Sequence, residues 1–334
     1  MITSRPSVAV FALGGTIASV TDPTSGGVSP GLTSEQLVAS IPGLDRDVDL
    51  VARQLRQVAS PDLTLNDILA VHQAIGQAVD EGCAGVVVTQ GTDTLEETAF
   101  VLDLLHDLPE PVAITGAMRN PTLPGADGPG NLSAAVRVAA SPDCRSLGAV
   151  VVFNDEIHSS RVVRKTHTSS LATFSSGPIA GPIGWVSEGR ARVLFRPASR
   201  PTLQLPIDVT IPPVALLGMA LGDDSRLLDQ VAASGYRGLV VEAFGGGHVP
   251  SRTVDRLQDL AEMMPVVLAS RTGSGELLTN TYGFPGSERD LLARGLLPAG
   301  HLDGRKARIL LSLLLAAESW RKRVELRFTE ISLP

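Results

Sequence analysis

The sequence predicts an α/β protein whose doubly wound, mostly parallel sheet is followed by a second, smaller α/β domain. Three observations carry that expectation. Short apolar runs alternate with stretches of helical period, the runs are rich in β-branched residues, and the alternation lapses once and then resumes. At 334 residues the chain also exceeds the size at which a single hydrophobic core usually keeps growing.

The first strands are expected at Val8–Leu13, Gly85–Thr89, Val112–Thr115 and Ala149–Phe153, each ending near Gly, Asn or Thr. Their Val- and Ile-rich runs exclude polar residues from both faces, which suits parallel strands covered by helices on either side. Leu65–Val79, Leu95–Leu105 and Leu132–Ala140 place apolar residues three and four apart and read as those helices. Residues 1–188 are therefore expected as the N-terminal domain. Residues 189–213 combine one strand with five prolines and no helical period, which reads as a connection. The second alternation runs through Val214–Met219, Asp224–Ser234, Gly238–Val241, Val254–Met263, Val266–Ala269 and a helix from Asp303 to Glu318, so the smaller domain is 214–334.

Composition excludes several classes of function. Hydrophobic residues are 43% and charged residues 19% of the chain, as in ordinary globular proteins. A net charge of −7 argues against nucleic acid as a partner, and Arg161, Arg164 and Lys165 are too few to track a phosphate backbone. No apolar run approaches the roughly 18–20 residues that span a bilayer, and Ile309–Ala317 is broken by Ser312. The N-terminus carries no signal core, since Val8–Leu13 is short and runs into glycines, so a cytoplasmic location is expected. Cys83 and Cys144 make no disulfide framework, and no Cys/His spacing resembles a metal site; no cofactor is expected.

Chemistry in such a fold gathers beyond the C-terminal ends of the strands, and three polar clusters fall there. Gly14-Gly15-Thr16-Ile17-Ala18 follows the first strand; its glycines allow a sharp turn and close backbone approach to a ligand, although a turn with a helix cap would also explain Thr16. Neither the phosphate-loop ending nor the dinucleotide glycine spacing is present. In Thr89-Gln90-Gly91-Thr92-Asp93-Thr94-Leu95-Glu96-Glu97 a capping box accounts for Thr94 and Glu97 and leaves Thr92 and Asp93 unexplained. A Thr-Asp pair beside a helix N-terminus can orient a nucleophile and bind an ammonium; a hydrated turn is the alternative. Lys165, in Arg164-Lys165-Thr166, taken alone reads as a solvated surface residue.

Together, and in this order, Gly-Gly-Thr-Ile-Ala, Gln-Gly-Thr-Asp-Thr-Leu-Glu-Glu-Thr-Ala near residue 90 and Thr-Gly-Ala-Met-Arg at 115–119 resemble the bacterial L-asparaginase family, the class with two threonine signatures. The likeness continues through Asn154-Asp155, Lys165, Ala172-Thr-Phe and the segment from Leu302 to Leu311. It implies an amidohydrolase with asparagine as the favoured small-molecule substrate. It also implies a homotetramer, a dimer of dimers, in which each site is completed by a neighbouring subunit. Thr16 matches the first-signature threonine on a mobile lid, implicated as nucleophile, and Thr92, Asp93 and Lys165 match a second buried arrangement. Ser60 matches the serine that holds the α-carboxylate, Asp93 would also face the α-ammonium, and Ala117 stands where a backbone carbonyl meets the side-chain amide. The backbone N–H groups of Gly15–Thr16 or Gly91–Thr92 could stabilise an oxyanion, each donor contributing on the order of 3–4 kcal/mol.

The chemistry suits such a centre. A threonine hydroxyl is a weak nucleophile until a base takes its proton. Lysine, with an ordinary pKa of about 10.4, serves as base only if desolvation or nearby positive charge lowers that value. Asp93 would oppose such a shift, so a proton relay through Thr92 is the alternative. The expected product is an acyl-enzyme on Thr16 that water releases as aspartate, though residues alone do not decide whether Thr16 or Thr92 attacks.

Three departures narrow the expectation. The family's lid tyrosine is missing from Ile17 to Pro30, the only tyrosines being Tyr236 and Tyr282; Thr21, Ser25, Tyr282 or Glu276 are candidate substitutes. Pro61 replaces a glutamine that contacts the substrate ammonium. His248, in Gly245-Gly-Gly-His248-Val-Pro, sits near the asparagine that a neighbouring subunit contributes, unless it merely caps a helix starting near Ser251; Glu276 and Glu288 are candidates for that subunit's acidic group. The rivals are an amidohydrolase preferring glutamine, D-amino-acid amides or glutaminyl transfer RNA, the last disfavoured by the acidic charge, and a catalytically weak amino-acid sensor.

Overall fold

A computed structural model describes residues 5–21, 28–39, 41, 43, 47–206, 208–318 and 321–332. The chain divides into two compact units, Met1–Thr202 and Leu203–Pro334.

In chain order the first unit comprises β1 (Ser7–Gly14), β2 (Ser19–Thr21), β3 (Val28–Pro30), α1 (Ser34–Ala39), β4 (Asp49–Val58), α2 (Leu65–Asp80), β5 (Gly85–Thr89) and α3 (Leu95–Leu105). It continues with β6 (Val112–Thr115), α4 (Gly128–Ala139), β7 (Ala149–Phe153), β8 (Glu156–Ser159), β9 (Arg164–Lys165), β10 (Phe174–Ser175), β11 (Gly184–Ser187) and β12 (Arg190–Val193). The large sheet runs β12-β11-β8-β7-β6-β5-β1-β4, parallel from β4 to β7 and antiparallel beyond. Every residue of β5, β6 and β7 is buried, which is why those strands read as uninterrupted apolar runs. β4 is an edge strand whose Asp-Leu-Val-Ala-Arg-Gln-Leu-Arg-Gln-Val mixes charged and polar residues with apolar ones, and it carries no such signature.

Among the five parallel strands the spatial order is second, first, third, fourth, fifth. The direction of winding therefore reverses between β1 and β5, and a crevice opens beyond their C-terminal ends at that switch point. The loops that follow β1 and β5 carry Thr16 and Thr92. At the end of β1 the register with β4 shifts between Ala12 and Gly14. Gly14 takes φ +105°, and a Cβ there would lie 2.5 Å from the Val58 carbonyl oxygen, so glycine is required.

Two boundaries differ from the sequence reading. The segment from residue 189, expected as a connection, opens with β12, the edge strand of the first unit's sheet, because Arg190–Val193 folds back antiparallel on Gly184–Ser187. α4 begins at Gly128 rather than Leu132; its Gly-Pro-Gly-Asn start lacks apolar period, yet proline is well accommodated in a first helical turn.

The second unit is a four-stranded parallel sheet in sequential order: β13 (Val214–Gly218), β14 (Gly238–Ala243), β15 (Val266–Ser270) and β16 (Leu297–Pro298). Helices α5 (Arg226–Ala233), α6 (Val254–Met263), α7 (Glu288–Ala293), α8 (Gly304–Ala317) and α9 (Arg321–Ser332) accompany it. α8 packs across β13, β14 and β15, and its N-cap Asp303 accepts the N–H groups of Arg305 and Lys306. No helix among the described residues is long and apolar enough to cross a membrane.

Burial is the largest cause holding His72, His106 and His158 below the ordinary histidine range. Each therefore binds a proton more readily in the unfolded chain. Their contribution to stability is present above about pH 6.5 and is lost as pH falls through and below that value. Depressed carboxylates such as Glu288 and Asp67 act the same way only below about pH 4.5. The melting temperature is thus expected to decline already between about pH 7 and pH 5. A flat or rising value across that window in a thermal-melt series contradicts this assignment.

Candidate active site

Three loops meet at the switch point with almost no side chains between them. Gly15 (φ +84°) has so little room that a Cβ would fall 2.0 Å from the Gly91 nitrogen, and a Cβ on Gly91 would reach to 2.8 Å from the Ser60 hydroxyl oxygen. The loops after β1 and β5 are therefore packed backbone against backbone, and the Ser60 side chain of the loop after β4 rests against Gly91, both of which these two glycines permit. A Gly15→Ala variant combines that overlap with a strained φ. We expect it to cost at least about 1–2 kcal/mol of stability and to reduce turnover, since one of the two site loops must retreat. Wild-type melting and turnover in that variant would contradict the packing described.

Ser60 opens a short 3₁₀ turn (Ser60–Asp62), with Pro61 in its first positions, and is buried. Thr16 likewise opens a 3₁₀ turn, Thr16–Ala18, and its N-cap is Gly15, so Thr16 itself is not the cap. Ser19 closes that turn by donating its hydroxyl to the Gly15 carbonyl at 2.9 Å. Thr94 stands at the N-cap of α3 but makes no capping bond, and the expected box with Glu97 does not form. Its hydroxyl donates instead to the Ser60 carbonyl at 3.0 Å and accepts from Gln90 Nε2 at 3.3 Å, which ties the Thr92 loop to the Ser60 loop. A reciprocal capping box does form on α2, between Thr64 and Asp67.

Lys165 enters from β9, which pairs with β10. Its Nζ donates to Thr92 Oγ1 at 2.9 Å and to Asp93 Oδ1 at 2.6 Å. Its backbone N–H donates to the carboxylate of Glu96, a residue only 1% exposed. Thr92 is buried and the Lys165 side chain nearly so, whereas Asp93 is 64% exposed, so the triad runs from protein interior to solvent. A cavity of about 280 Å³ opens beside it, lined by Gly15, Thr16, Ser19, Ala59, Ser60, Pro61, Gly91, Thr92, Asp93, Met118, Lys165 and Thr168.

Of the residues singled out from sequence, Thr16, Thr92, Asp93, Lys165, Gly15, Ser60, Pro61 and Gly91 all reach this cavity. Ala117 does not line it; it is buried against Ile17 and Gly128, and its neighbour Met118 supplies the wall. Met118, Thr168 and Ser19 went unmarked in the sequence, as did Glu96. Met118 follows β6, where the strand-end rule would have found it. Glu96 precedes Ala99 and Phe100 by three and four positions, so its carboxylate starts on the helix's apolar face, a placement that calls for a partner.

In the second unit, His248 makes no helix cap: the turn at Ser251–Thr253 is capped by Pro250 with no side-chain bond. The His248 ring approaches Glu288 Oε2 with Nε2 at 3.2 Å and packs edge-on against Tyr282 and Phe284. Glu288 is fully buried at the start of α7 and accepts the N–H groups of Thr281 and Tyr282 at 2.7 and 2.6 Å. Burial pushes its carboxyl up, but these N–H groups and His248 outweigh it and hold Glu288 below the usual carboxylate range. Glu276 is exposed. Of the candidate lid substitutes, Ser25 and the side chain of Thr21 lie outside the described residues.

Two family models match the chain: "Asparaginase, N-terminal" over residues 7–199 and "Glutaminase/Asparaginase C-terminal domain" over 213–328. An L-asparaginase of Bacillus licheniformis is 35% identical over 312 residues, covering 93% of this chain and 95% of its own length. A probable L-asparaginase of Deinococcus radiodurans is also 35% identical, over 99% of both chains. The crystal structure of a probable cytoplasmic L-asparaginase from Campylobacter jejuni superposes with a TM-score of 0.85 at 29% identity, over 97% of this chain and 99% of that one.

Proposed function

This chain belongs to the asparaginase family, and from that premise we propose that it hydrolyses the side-chain amide of L-asparagine to L-aspartate and ammonia. The observation that carries the reading is the Lys165 ammonium held between Thr92 Oγ1 and Asp93 Oδ1, in the cavity that Thr16 also lines. A site that only bound amino acids would have no use for a lysine directed onto a threonine hydroxyl.

Thr16 is the nucleophile in this proposal. It lines the cavity half-buried, whereas the Thr92 hydroxyl is buried and already engaged by Lys165. The Thr16 hydroxyl attacks the side-chain amide carbon, and the oxyanion is met by backbone N–H groups of Gly15–Thr16 or Gly91–Thr92, of which each is worth on the order of 3–4 kcal/mol. Thr92 and Lys165 pass the proton from the attacking hydroxyl to the departing ammonia, and Asp93 steadies the lysine. Water then releases aspartate from the acyl-enzyme. Ser60 receives the α-carboxylate and Asp93 the α-ammonium.

The same premise supports a homotetramer, a dimer of dimers, whose neighbouring subunits complete each site. Glu276 is the better acidic candidate for that role, because Glu288 already spends its carboxylate on two N–H groups and His248. A cytoplasmic location accords with the Campylobacter relative. Pro61 provides no side-chain acceptor at the ammonium end, which keeps glutamine and D-amino-acid amides as the second reading.

Ammonia release across L-asparagine, L-glutamine and their D-forms tests the proposal. L-asparagine should give the highest rate. Aspartate binding without ammonia from any of the four would identify an amino-acid sensor instead.

A further inference from the structure

Asp127 occupies the N-cap position of α4, where an aspartate ordinarily accepts N–H groups of its own helix's first turn. It makes no such bond. Its carboxylate turns back onto the loop after β6, with Oδ2 accepting the Met118 N–H at 2.9 Å and Oδ1 the Arg119 N–H at 2.8 Å. Asn131, one turn along α4 and 4% exposed, completes the arrangement. Its Nδ2 donates to the Gly116 carbonyl at 3.0 Å and to Asp127 Oδ2 at 3.1 Å, and its Oδ1 accepts the Asn154 N–H at 2.9 Å. Two side chains on one helix thus hold a carbonyl and two N–H groups of the four-residue run Gly116–Arg119.

The consequence falls on the peptide between Ala117 and Met118. It is trans, so with its N–H drawn to Asp127 its carbonyl must point the opposite way. Met118 lines the cavity, while Asp127 and Asn131 do not. We propose that Asp127 and Asn131 are positioning residues for amide recognition: through the Met118 and Gly116 backbone they seat Met118 in the cavity wall and turn the adjoining Ala117 carbonyl, not its core-facing side chain, toward the substrate's side-chain NH₂. The inference rests on the amide-hydrolase reading and adds the residues that set its specificity for an amide. It also accounts for an aspartate that gives up the cap of its own helix.

Asp127→Asn is the sharpest test, because it preserves volume but offers one oxygen in place of two. The Arg119 N–H and Asn131 Nδ2 use different oxygens of Asp127, so in either orientation the new amide sets a donor against a donor. The expected result is a rise of about tenfold in KM for asparagine with a lower kcat. The dissociation constant of aspartate, which has no side-chain N–H to present, should stay within about twofold by calorimetry. Asn131→Ser, which removes the tie to Gly116, should act in the same direction, and it provides the test if the first variant does not fold. An unchanged KM, or equal weakening of asparagine and aspartate with a lowered melting temperature, would overturn the proposal in favour of a purely structural role. The wild-type assay separates this from the parent reading: an enzyme that turns over asparagine but is indifferent to Asp127→Asn defeats the positioning claim alone.

Discussion

Lys165→Met is expected to lower kcat for asparagine by roughly a hundred- to ten-thousandfold, the range associated with removing a positioned proton carrier. Methionine keeps the length and much of the volume of lysine but can neither donate to Thr92 Oγ1 nor carry a proton. The fold should survive the change. Asp93, the charge left behind, is 64% exposed and regains water, so no buried carboxylate is stranded in its place. The Lys165 backbone N–H bond to Glu96 and the pairing of β9 with β10 do not depend on the side chain. A folded Lys165→Met protein with wild-type kcat, measured by steady-state ammonia release, would remove the lysine from the chemistry.

Thr92→Val should be as damaging, again by roughly a hundred- to ten-thousandfold in kcat. The substitution exchanges a hydroxyl for a methyl of similar size at a site only 6% exposed, so packing is retained. Lys165 keeps Asp93 but loses its contact with the oxygen through which a proton would pass. Thr92→Ser, which restores a hydroxyl at the same position, should recover much of the rate. Recovery in serine and not in valine separates the hydroxyl's role from that of the side chain's shape. Combining Thr92→Val with Lys165→Met should cost little more than either alone, because groups that act as one unit are not additive. Additive losses in that double variant would mean that the two residues act in separate steps.

What could be read from the sequence follows from where each signal has its physical origin. β5, β6 and β7 were legible because strands buried on both faces must be apolar throughout, whereas β4, one face of which meets solvent as an edge, carries arginines and glutamines and escaped notice. Residues 189–213 were expected to hold one strand within a connection; Arg190-Ala-Arg-Val instead pairs through its backbone with the first unit's sheet, an attachment that its charges do not announce. At the site, the glycines before Thr16 announced close backbone approach to a ligand, and the close approach in the structure is that of Gly15 to Gly91 on the neighbouring loop. Lys165 comes from a two-residue strand with no local pattern, so only its place in an ordered set of motifs marked it. Glu96 bonds to the backbone N–H of Lys165, 69 positions on, and Asp127 to that of Met118, 9 positions back across a loop; backbone partners of this kind leave no trace in side-chain identity. Thr94 shows the converse: its spacing to Glu97 fits a capping box, yet a tertiary acceptor, the Ser60 carbonyl, takes the hydroxyl.

The departures at the lid and at Pro61 bear on selectivity more than on chemistry. The Thr92–Asp93–Lys165 contacts depend on neither. A proline in the 3₁₀ turn beside Ser60 shapes the end of the cavity expected to hold the α-ammonium, so the balance between asparagine and its D-form should respond to Pro61→Gln more than kcat does.

The most direct measurement is to incubate the wild-type chain with L-asparagine in heavy-oxygen water and quantify ammonia together with labelled aspartate. Hydrolysis at this centre predicts one ammonia for each aspartate, with the solvent's heavy oxygen in the new side-chain carboxyl group. Calorimetric binding of aspartate accompanied by neither ammonia nor labelled product would contradict it.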